Sequence, residues 1–600
     1  MAGGASGPSA YPLLFAKRTK LNQEAMIYFA IALASIMGLF IVFHLGRRGA
    51  SKAGLNTKLS GLAKPFLFVS RSIRRVTVYK FPALPSTGHF VVALSYLVIN
   101  IALLFTHIDA SALPYLTVIA ARAGWLSIAN IAFVVFLSLK NTPLGFLTAW
   151  SYERLNVLHQ IAGYITMVLI IVHGATYSAY FIEAGNMARL RVAEEIYGIA
   201  SGFTFLSLVL AGAIVRLWYY ELFYILHVSF FAISMVLVGL HQPELSKKII
   251  IITAVAAGIW VADRVVRFIR VVLYSFNNNA TVYPLPHGGT RIILKKAPIG
   301  ASSGEHCFLW VPKIRALEMH PFTIAAMNPL EFVINSYDGF TRELHEYAVQ
   351  NPGATLKASV EGSYGTFPNP SEYNKIVLVA GGSGASFTVG TVLNLFKKVA
   401  QGSMPSVTFV WMVKDPDLSA RLEWFAGHLS TIRQALGANI QLYVTRAPGS
   451  QGSSSQTPGS SKEDRSRSGT ISSEASTPFT PSSEKFETTN GVPQQPPRIN
   501  TRTVSDPEKS GFESDATSLS SPTIQQNGAL NSLGGIPVHY GRPDVAKIIQ
   551  NAIDETPSGE RVLVMGCGPE SLMTQVRNTT ARCIRTSGPA VELHCEQFGW

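Results

Sequence analysis

Two pairs of histidines lie inside long apolar runs, His159 with His173 and His227 with His241, and the members of each pair are 14 residues apart. On an α-helix that interval leaves two side chains about 40° apart on one face and about 21 Å apart along the axis. An ionisable ring inside hydrocarbon is expensive and marks function by default. A single such histidine is commonly a helix–helix hydrogen bond. Two matched pairs fit a different chemistry. If the two helices run the same way, His159 comes level with His227 and His173 with His241. Two levels of facing imidazoles are what two stacked irons, each held in a b-type haem by two axial histidines, require. His44, His89 and His107 sit near the ends of apolar runs, match nothing in this spacing pattern, and keep a structural reading.

The elements that must position these rings follow from composition. Of 600 residues only 14% are charged and 48% are hydrophobic, against about 25% charged in an ordinary globular chain. The net charge is +14, and all of it belongs to residues 1–275, which hold 23 Lys/Arg against 9 Asp/Glu; residues 276–600 hold 27 of each. A basic excess confined to the hydrophobic half points to a membrane surface and away from nucleic acid. A wholly soluble enzyme is excluded. Runs long enough to cross a bilayer, about 20 residues each, occur near 25–45, 89–107, 116–139, 157–182, 198–217, 219–242 and 248–272. The fifth and sixth are divided only by a polar stretch at Trp218–Glu221.

Nine Lys/Arg and no acid between Arg47 and Lys80 predict a cytosolic loop against anionic lipid. The N-terminus is then expected outside and the C-terminus in the cytosol. Arg264, Arg267 and Arg270 close the last span on the inner side, and Glu183, Glu194 and Glu195 fall outside. No cleaved signal peptide is expected, so the first run stays as an anchor. Cys307, Cys567, Cys583 and Cys595 form no CxxC pair and suit a reducing cytosol.

After residue 275 the pattern becomes short alternating runs, such as TRIILKKA and HCFLWVP, which predict an antiparallel β-barrel to about residue 370. It contains His320-Pro321-Phe322-Thr323-Ile324 and Glu361-Gly362-Ser363-Tyr364-Gly365. An apolar strand, Ile376 to Ala380, then runs into Gly381-Gly382-Ser383-Gly384-Ala385-Ser386 and a segment of helical length. Strand, Gly-rich turn and helix is the context in which backbone N–H groups meet a pyrophosphate. A second strand, Val407–Val413, ends at Lys414, and a later one, Arg561–Met565, leads into Gly566-Cys567-Gly568-Pro569. These predict a doubly wound parallel sheet. Residues 449–530, rich in Ser, Thr, Pro, Gly and Gln, are expected to be a disordered insertion in that sheet, with Ser466 and Ser468 as candidate phosphorylation sites.

Taken together the residues resemble a known family, the fungal ferric-chelate reductases, relatives of the NADPH oxidases. The resemblance rests on the two 14-spaced histidine pairs, HPFTIA, VAGGSGASFT, GRPD at 541–544, MGCGPESL and the terminal Phe598-Gly599-Trp600. It implies a multi-domain fold: a seven-span α-helical membrane domain with two b-type haems, an antiparallel β-barrel FAD domain, and an α/β ferredoxin-reductase-like NADPH domain. The expected boundaries are 1–115 for an N-terminal region with two spans and the basic loop, and 116–275 for the haem domain. The FAD barrel takes 276–370, and the NADPH domain takes 371–448 and 531–600 around the 449–530 insertion.

By the same resemblance, His159, His173, His227 and His241 are axial haem ligands, and His320 to Ile324 contact FAD. Gly381 to Ser386 and Gly566 to Pro569 form the NADPH turns. Arg542 and Lys414 meet the 2′-phosphate, and Trp600 covers the flavin. Two departures stand out. The family's Gly-Pro-aromatic-Gly appears as Gly362-Ser363-Tyr364-Gly365, and its usual Arg at the second strand end is Lys414.

The implied activity is electron transfer from cytosolic NADPH through FAD and two haems to an Fe(III) or Cu(II) chelate outside, at the plasma membrane. Its implied partners are membrane lipid and an iron uptake system. The rival within the family is an NADPH oxidase making superoxide; the rival outside it is a seven-span receptor or transporter. Arg122, near the outer end of the third span, is expected either to anchor at the interface by snorkelling or to attract an anionic chelate.

Overall fold

The computed structural model describes residues 11–52, 60–148, 150–241, 247–399, 405–414, 423–436, 438–445, 532–533 and 535–596. The 449–530 insertion, Ser466, Ser468 and Trp600 lie outside the described residues.

Among the described residues, seven helices are long and apolar enough to cross a membrane. They are α1 (Tyr11–Lys52), α3 (Thr87–Phe105), α4 (Tyr115–Ser138), α6 (Tyr152–Glu183), α7 (Ala193–Ala213), α8 (Tyr220–Leu240) and α9 (Lys247–Ser275). Between them lie two helices that do not span, α2 (Ser60–Thr77) and the short α5 (Pro143–Thr148). Between the fifth and sixth spans, residues 214–219 break the helix, with a 3-10 turn at Val215–Leu217. The chain segment expected as a basic loop is, from Ser60, the helix α2.

Of the seven spans α4 is the most buried. It packs along α6, and α7 packs along α8. Arg122 belongs to α4 and is only 1% exposed, so it neither snorkels nor faces solvent. Its guanidinium donates to Leu103 O (2.6 Å), Thr106 O (2.8 Å) and His107 O (2.7 Å), where α3 ends, and to Asn22 Oδ1 of α1 (2.7 Å). The last carbonyls of a helix lack intrahelical donors, and in hydrocarbon no water replaces them. Arg122 satisfies one of them, Leu103 O, together with two carbonyls just past the helix end, and ties α1, α3 and α4 together. This corrects the sequence expectation: the charge is used up inside the bundle.

The soluble half begins where α9 ends. An antiparallel seven-stranded sheet comprises β1 (Asn279–Leu285), β2 (Gly289–Leu294), β3 (His306–Trp310), β4 (His320–Ala326), β5 (Leu330–Asn335), β6 (Thr355–Lys357) and β7 (Ser359–Tyr364). Its order is β6-β1-β2-β5-β4-β3-β7, with α10 (Phe340–Gln350) between β5 and β6. The second sheet comprises β8 (Lys375–Gly381), β9 (Ser406–Val413), β10 (Asn439–Val444), β11 (Ser532–Leu533), β12 (Ile536–Tyr540), β13 (Arg561–Cys567) and β14 (Ala590–Glu596). Its order is β11-β12-β10-β9-β8-β13-β14, parallel throughout except for the β11–β12 pair. Helices α11 (Ala385–Val399), α12 (Ala426–Leu436), α13 (Val545–Asp554) and α14 (Glu570–Cys583) accompany it. Near-continuous burial along β8 and β13 is the mark of a sheet covered on both faces.

Close approaches lock these layers. Trp424 Nε1 donates to Pro286 O (3.0 Å), and a Cβ on Gly289 would stand 2.5 Å from the Trp424 ring. A Cβ on Gly390 of α11 would stand 2.6 Å from Gly304 N. The spans are joined to the antiparallel sheet by Glu153–His306 (3.0 Å), Arg267–Glu361 (3.3 Å) and Ser359 Oγ donating to Val271 O (2.6 Å). Lys140, just past α4, lies over the Phe308 ring, and its burial pushes its pKa down.

Candidate functional site

In the bundle the four histidines meet in the predicted pairs. His159 faces His227 with ring centres 6.2 Å apart, and His173 faces His241 at 6.1 Å. The pairing makes α6 and α8 run in the same direction. Each pair opens into its own cavity. The first, about 210 Å³, is lined by Arg216, Tyr224 and Arg264 among others; the second, about 530 Å³, by Arg18, Tyr177 and Arg189.

Backbone carbonyls set the ring orientations. His159 Nδ1 donates to Val134 O (3.0 Å) and His173 Nδ1 to Ala120 O (2.8 Å), both on α4. His227 Nδ1 donates to Leu208 O (3.3 Å) and His241 Nδ1 to Glu194 O (2.7 Å), both on α7. A carbonyl can only accept, so each Nδ1 carries the hydrogen and each Nε2 keeps a lone pair. This is how proteins hold a metal-binding imidazole in one tautomer. A helical side chain covers the turn before its own position, so the residue four places after each acceptor has to be small. These residues are Gly124, Ser138, Gly198 and Gly212. A Cβ on Gly124 or Gly198 would stand 2.6 Å from the ring of His173 or His241 respectively.

The residues fit two bis-histidine haems. Two imidazole–metal bonds of about 2.0 Å, each continued by about 1.1 Å to a ring centre, span about 6.2 Å, as found at both levels. Gly163 lines the first cavity and Gly174 and Gly202 the second; a Cβ on any of them would meet nothing within 4 Å, which leaves room for a flat macrocycle. Arg264 Nε, buried at the first cavity, has no hydrogen-bond partner among the described residues, and a propionate would supply one.

A second site lies at the carboxyl ends of the parallel strands. The chain runs outward from β8 to β9 and β10 and returns later as β13 on the other side of β8, which makes the β8/β13 edge a topological switch point. A cleft of about 1160 Å³ opens there. It brings together Gly381, Gly382, Ser383, Gly384, Lys414, Arg542, Cys567, Gly568 and Pro569. Gly566, Ala385 and Ser386 do not line it. Ala385 is buried at the start of α11, and Ser386 Oγ donates to Val333 O (3.3 Å) of the antiparallel sheet. The two Gly-rich turns touch: a Cβ on Gly384 would stand 2.3 Å from Cys567 O, and one on Gly381 2.7 Å from Pro569. Burial pushes the Cys567 thiol pKa up, so it stays neutral and serves packing. The cleft suits a phosphorylated nucleotide: backbone N–H groups at two turns, with Lys414 and Arg542 at its edge.

The third group of residues, His320 to Ile324, forms β4. His320 stacks on Phe340 (4.6 Å), and its Nε2 meets Glu318 (3.0 Å). Residues 320–323 are half-buried, whereas Ile324 is fully buried in the sheet core. Beside β4, Ser303 Oγ is buried without a hydrogen-bond partner among the described residues, which fits a polar ligand such as a flavin there. Trp600 lies outside the described residues. The carbonyl acceptors and their small neighbours were not anticipated from sequence, although the acceptors repeat the 14-residue interval.

Comparison with known proteins finds a likeness for three parts of the chain. Residues 123–238 match the family model for a ferric reductase like transmembrane component, residues 275–368 an FAD-binding domain, and residues 373–581 a ferric reductase NAD binding domain. A Saccharomyces cerevisiae protein, "Ferric/cupric reductase transmembrane component 2", is 24% identical over 80% of this chain and 61% of its own length. The Aspergillus oryzae "Probable cell surface ferric reductase kap2" is 27% identical over 52% of this chain and 46% of its own length. The chain thus spans about half to three-fifths of these relatives. Among solved structures, a flavohemoglobin from Malassezia yamatoensis matches over 81% of this chain and 96% of its own, at 14% identity and a TM-score of 0.32.

Proposed function

We propose that this integral membrane oxidoreductase, which carries the transmembrane, FAD-binding and NAD-binding domains of the ferric reductases, moves electrons from cytosolic NADPH to an Fe(III) or Cu(II) chelate outside the cell. The observation that carries the reading is the two-level pairing of His159 with His227 and His173 with His241, each with Nδ1 tied to a backbone carbonyl. When bound, nicotinamide, flavin and haem supply all of the hydride and electron transfer.

The chain supplies position and charge. Nδ1–H donation fixes the four rings with Nε2 turned inward. Arg216 and Arg264 at the inner level, and Arg18 and Arg189 at the outer, present cations to propionates. Gly381 to Gly384 and Gly568 bring backbone N–H groups to a pyrophosphate. Arg542 and Lys414 receive the 2′-phosphate, for which a guanidinium fork is better shaped than an ammonium. His320 to Thr323 orient the flavin beside the cytosolic ends of α6 and α9. In this reading the haem domain takes 116–275, the FAD domain 276–370 and the NADPH domain 371–448 with 531–600, with the N-terminus outside and the soluble domains in the cytosol of a plasma-membrane protein.

Two measurements test this. Reduced-minus-oxidised spectra of the purified protein should show b-type haem at about two per chain. Whole cells should reduce an impermeant ferric chelate at a rate that superoxide dismutase leaves unchanged. Absence of the haem signal would overturn the reading; a dismutase-sensitive rate would favour superoxide production instead.

A further inference from the structure

The segment from Ser70 to Lys80 precedes the first residue matched by any of the three family models, yet it grips the NAD-binding domain. Arg71 Nη1 donates to the carbonyls of Arg585 (3.3 Å), Thr586 (3.0 Å) and Gly588 (3.2 Å), just past the C-terminus of α14. Helix C-termini attract cations. Further along, Lys80 N donates to Asn578 Oδ1 (3.0 Å) and Lys80 Nζ meets Glu570 (2.7 Å), the first residue of α14 and part of the nucleotide cleft. Val78 packs against the core that α14 covers. The segment therefore straps α14 from end to end, over about 21 Å.

Among the described side chains of α2, from Phe68 to Thr77, the other face is bare. Phe68, Val69, Ile73 and Val76 are 57%, 52%, 52% and 58% exposed, and helical spacing puts them within one sector of about 140°. Arg71, Arg74 and Arg75 lie on the adjoining sector. The helix ends at the membrane boundary: Thr87, the first residue of span α3, donates its N–H to Tyr79 O (2.8 Å), and a Cβ on Gly88 would stand 3.2 Å from Thr77 O. A basic amphipathic helix with an open apolar face beside a span lies in the interface plane of a bilayer.

We propose that α2 is a two-faced bracket, with its apolar face seated in the headgroup and acyl boundary of an anionic leaflet and its basic edge holding α14 of the NAD-binding domain. The occupant is lipid because α2 packs against span α3, whose Val91, Leu94 and Val98 are likewise exposed, and no acid lies between residues 47 and 80 to repel anionic headgroups. The inference rests on the membrane-spanning reading and is independent of the redox one.

All four native cysteines are buried, so a single introduced cysteine can be labelled. Full-length Ile73→Cys, carrying an environment-sensitive fluorophore, is reconstituted into vesicles of seven parts phosphatidylcholine to three of phosphatidylserine. Brominated lipid should quench it at least threefold more than a label at Gln350→Cys on the antiparallel-sheet domain, and more than the same label in pure phosphatidylcholine. Equal quenching at the two positions would refute the lipid face. In the Arg71→Ala/Lys80→Ala variant, amides of residues 570–583 should exchange hydrogen at least tenfold faster; unchanged exchange would refute the grip. The haem spectrum of the same samples reports separately on the proposed function, since its loss with quenching intact would remove that function and leave the bracket.

Discussion

Replacing Gly198 with Ala tests the carbonyl-anchored histidines directly. The new Cβ would stand 2.6 Å from Nδ1 and Cε1 of His241, about 0.8 Å inside the 3.4 Å at which ordinary contact begins. The nearest atoms belong to a ring fixed by its bond to Glu194 O, so the ring must move off that carbonyl. Overpacking of this kind costs about 1–3 kcal/mol, and the lost hydrogen bond adds about 1 kcal/mol. A total of about 2–4 kcal/mol weakens haem retention at the outer level roughly 30- to 1,000-fold. The assay is the haem-to-protein ratio of purified protein by its alkaline pyridine spectrum, with bound flavin as the folding control. Gly198→Ala should keep about half the haem and all of the flavin, and Gly124→Ala should do the same through His173. Gly212→Ala should be mild, because its Cβ would lie 3.9 Å from His227 Nδ1. Gly258→Ala on α9, whose Cβ meets nothing within 4 Å and which lines neither cavity, should be silent. If Gly198→Ala and Gly258→Ala hold equal haem, the anchoring argument is wrong.

His173→Leu should leave roughly half the haem, preserve NADPH-driven dye reduction at the cytosolic face, and abolish reduction of an external impermeant chelate; persistence of external reduction would sink the two-level order. Arg542→Ala should lower kcat/KM for NADPH about 10- to 100-fold, the scale of a lost charge-assisted hydrogen bond, with little effect on NADH, and equal losses for both nucleotides would remove the 2′-phosphate assignment. Deleting residues 455–525 should leave haem, flavin and reductase activity intact: β10 and β12 are parallel neighbours, and the 15 residues left between 446 and 531, outside the deletion, suffice for a crossover of a dozen or more. Loss of folded protein would show that the sheet needs the insertion.

The site was more legible in the sequence than its support. Histidine spacing sufficed for the two levels because helical periodicity is rigid over 14 residues, and Gly-rich turns after apolar strands sufficed for the cleft because strand ends at a switch point converge. Arg122 was misread because hydropathy records a charge in an apolar run but not the orphan carbonyls at the end of another helix that receive it. The stretch from Arg47 to Lys80 was read as a cytosolic loop against lipid from its charge, although Phe68, Val69, Ile73 and Val76 already had helical spacing. Its partner α14 lies some 500 residues away in sequence, beyond the reach of any local pattern. The small residues opposite the histidines carried no signal of their own, since glycine in a span has many uses.

The carbonyl acceptors explain why the two levels stay in register. Ala120 and Val134 are 14 residues apart on α4, and Glu194 and Leu208 are 14 apart on α7, matching the intervals of the histidines they hold. Each antiparallel pair, α4 with α6 and α7 with α8, is thus a two-point clamp that fixes both imidazoles of one helix at once. Each level then takes one ring from each clamp. A slip of one helix along its partner would break both hydrogen bonds of that clamp and misplace one imidazole at both levels, so the slipped state gains nothing at either. A point change beside a single ring disturbs one level only. The fourth small residue supports this division: Ser138, four places after Val134, turns its hydroxyl to Val135 O (2.7 Å), leaving Val134 O to His159. Register is therefore a property of the helix pairs, and occupancy of each level is a property of the residue facing its ring.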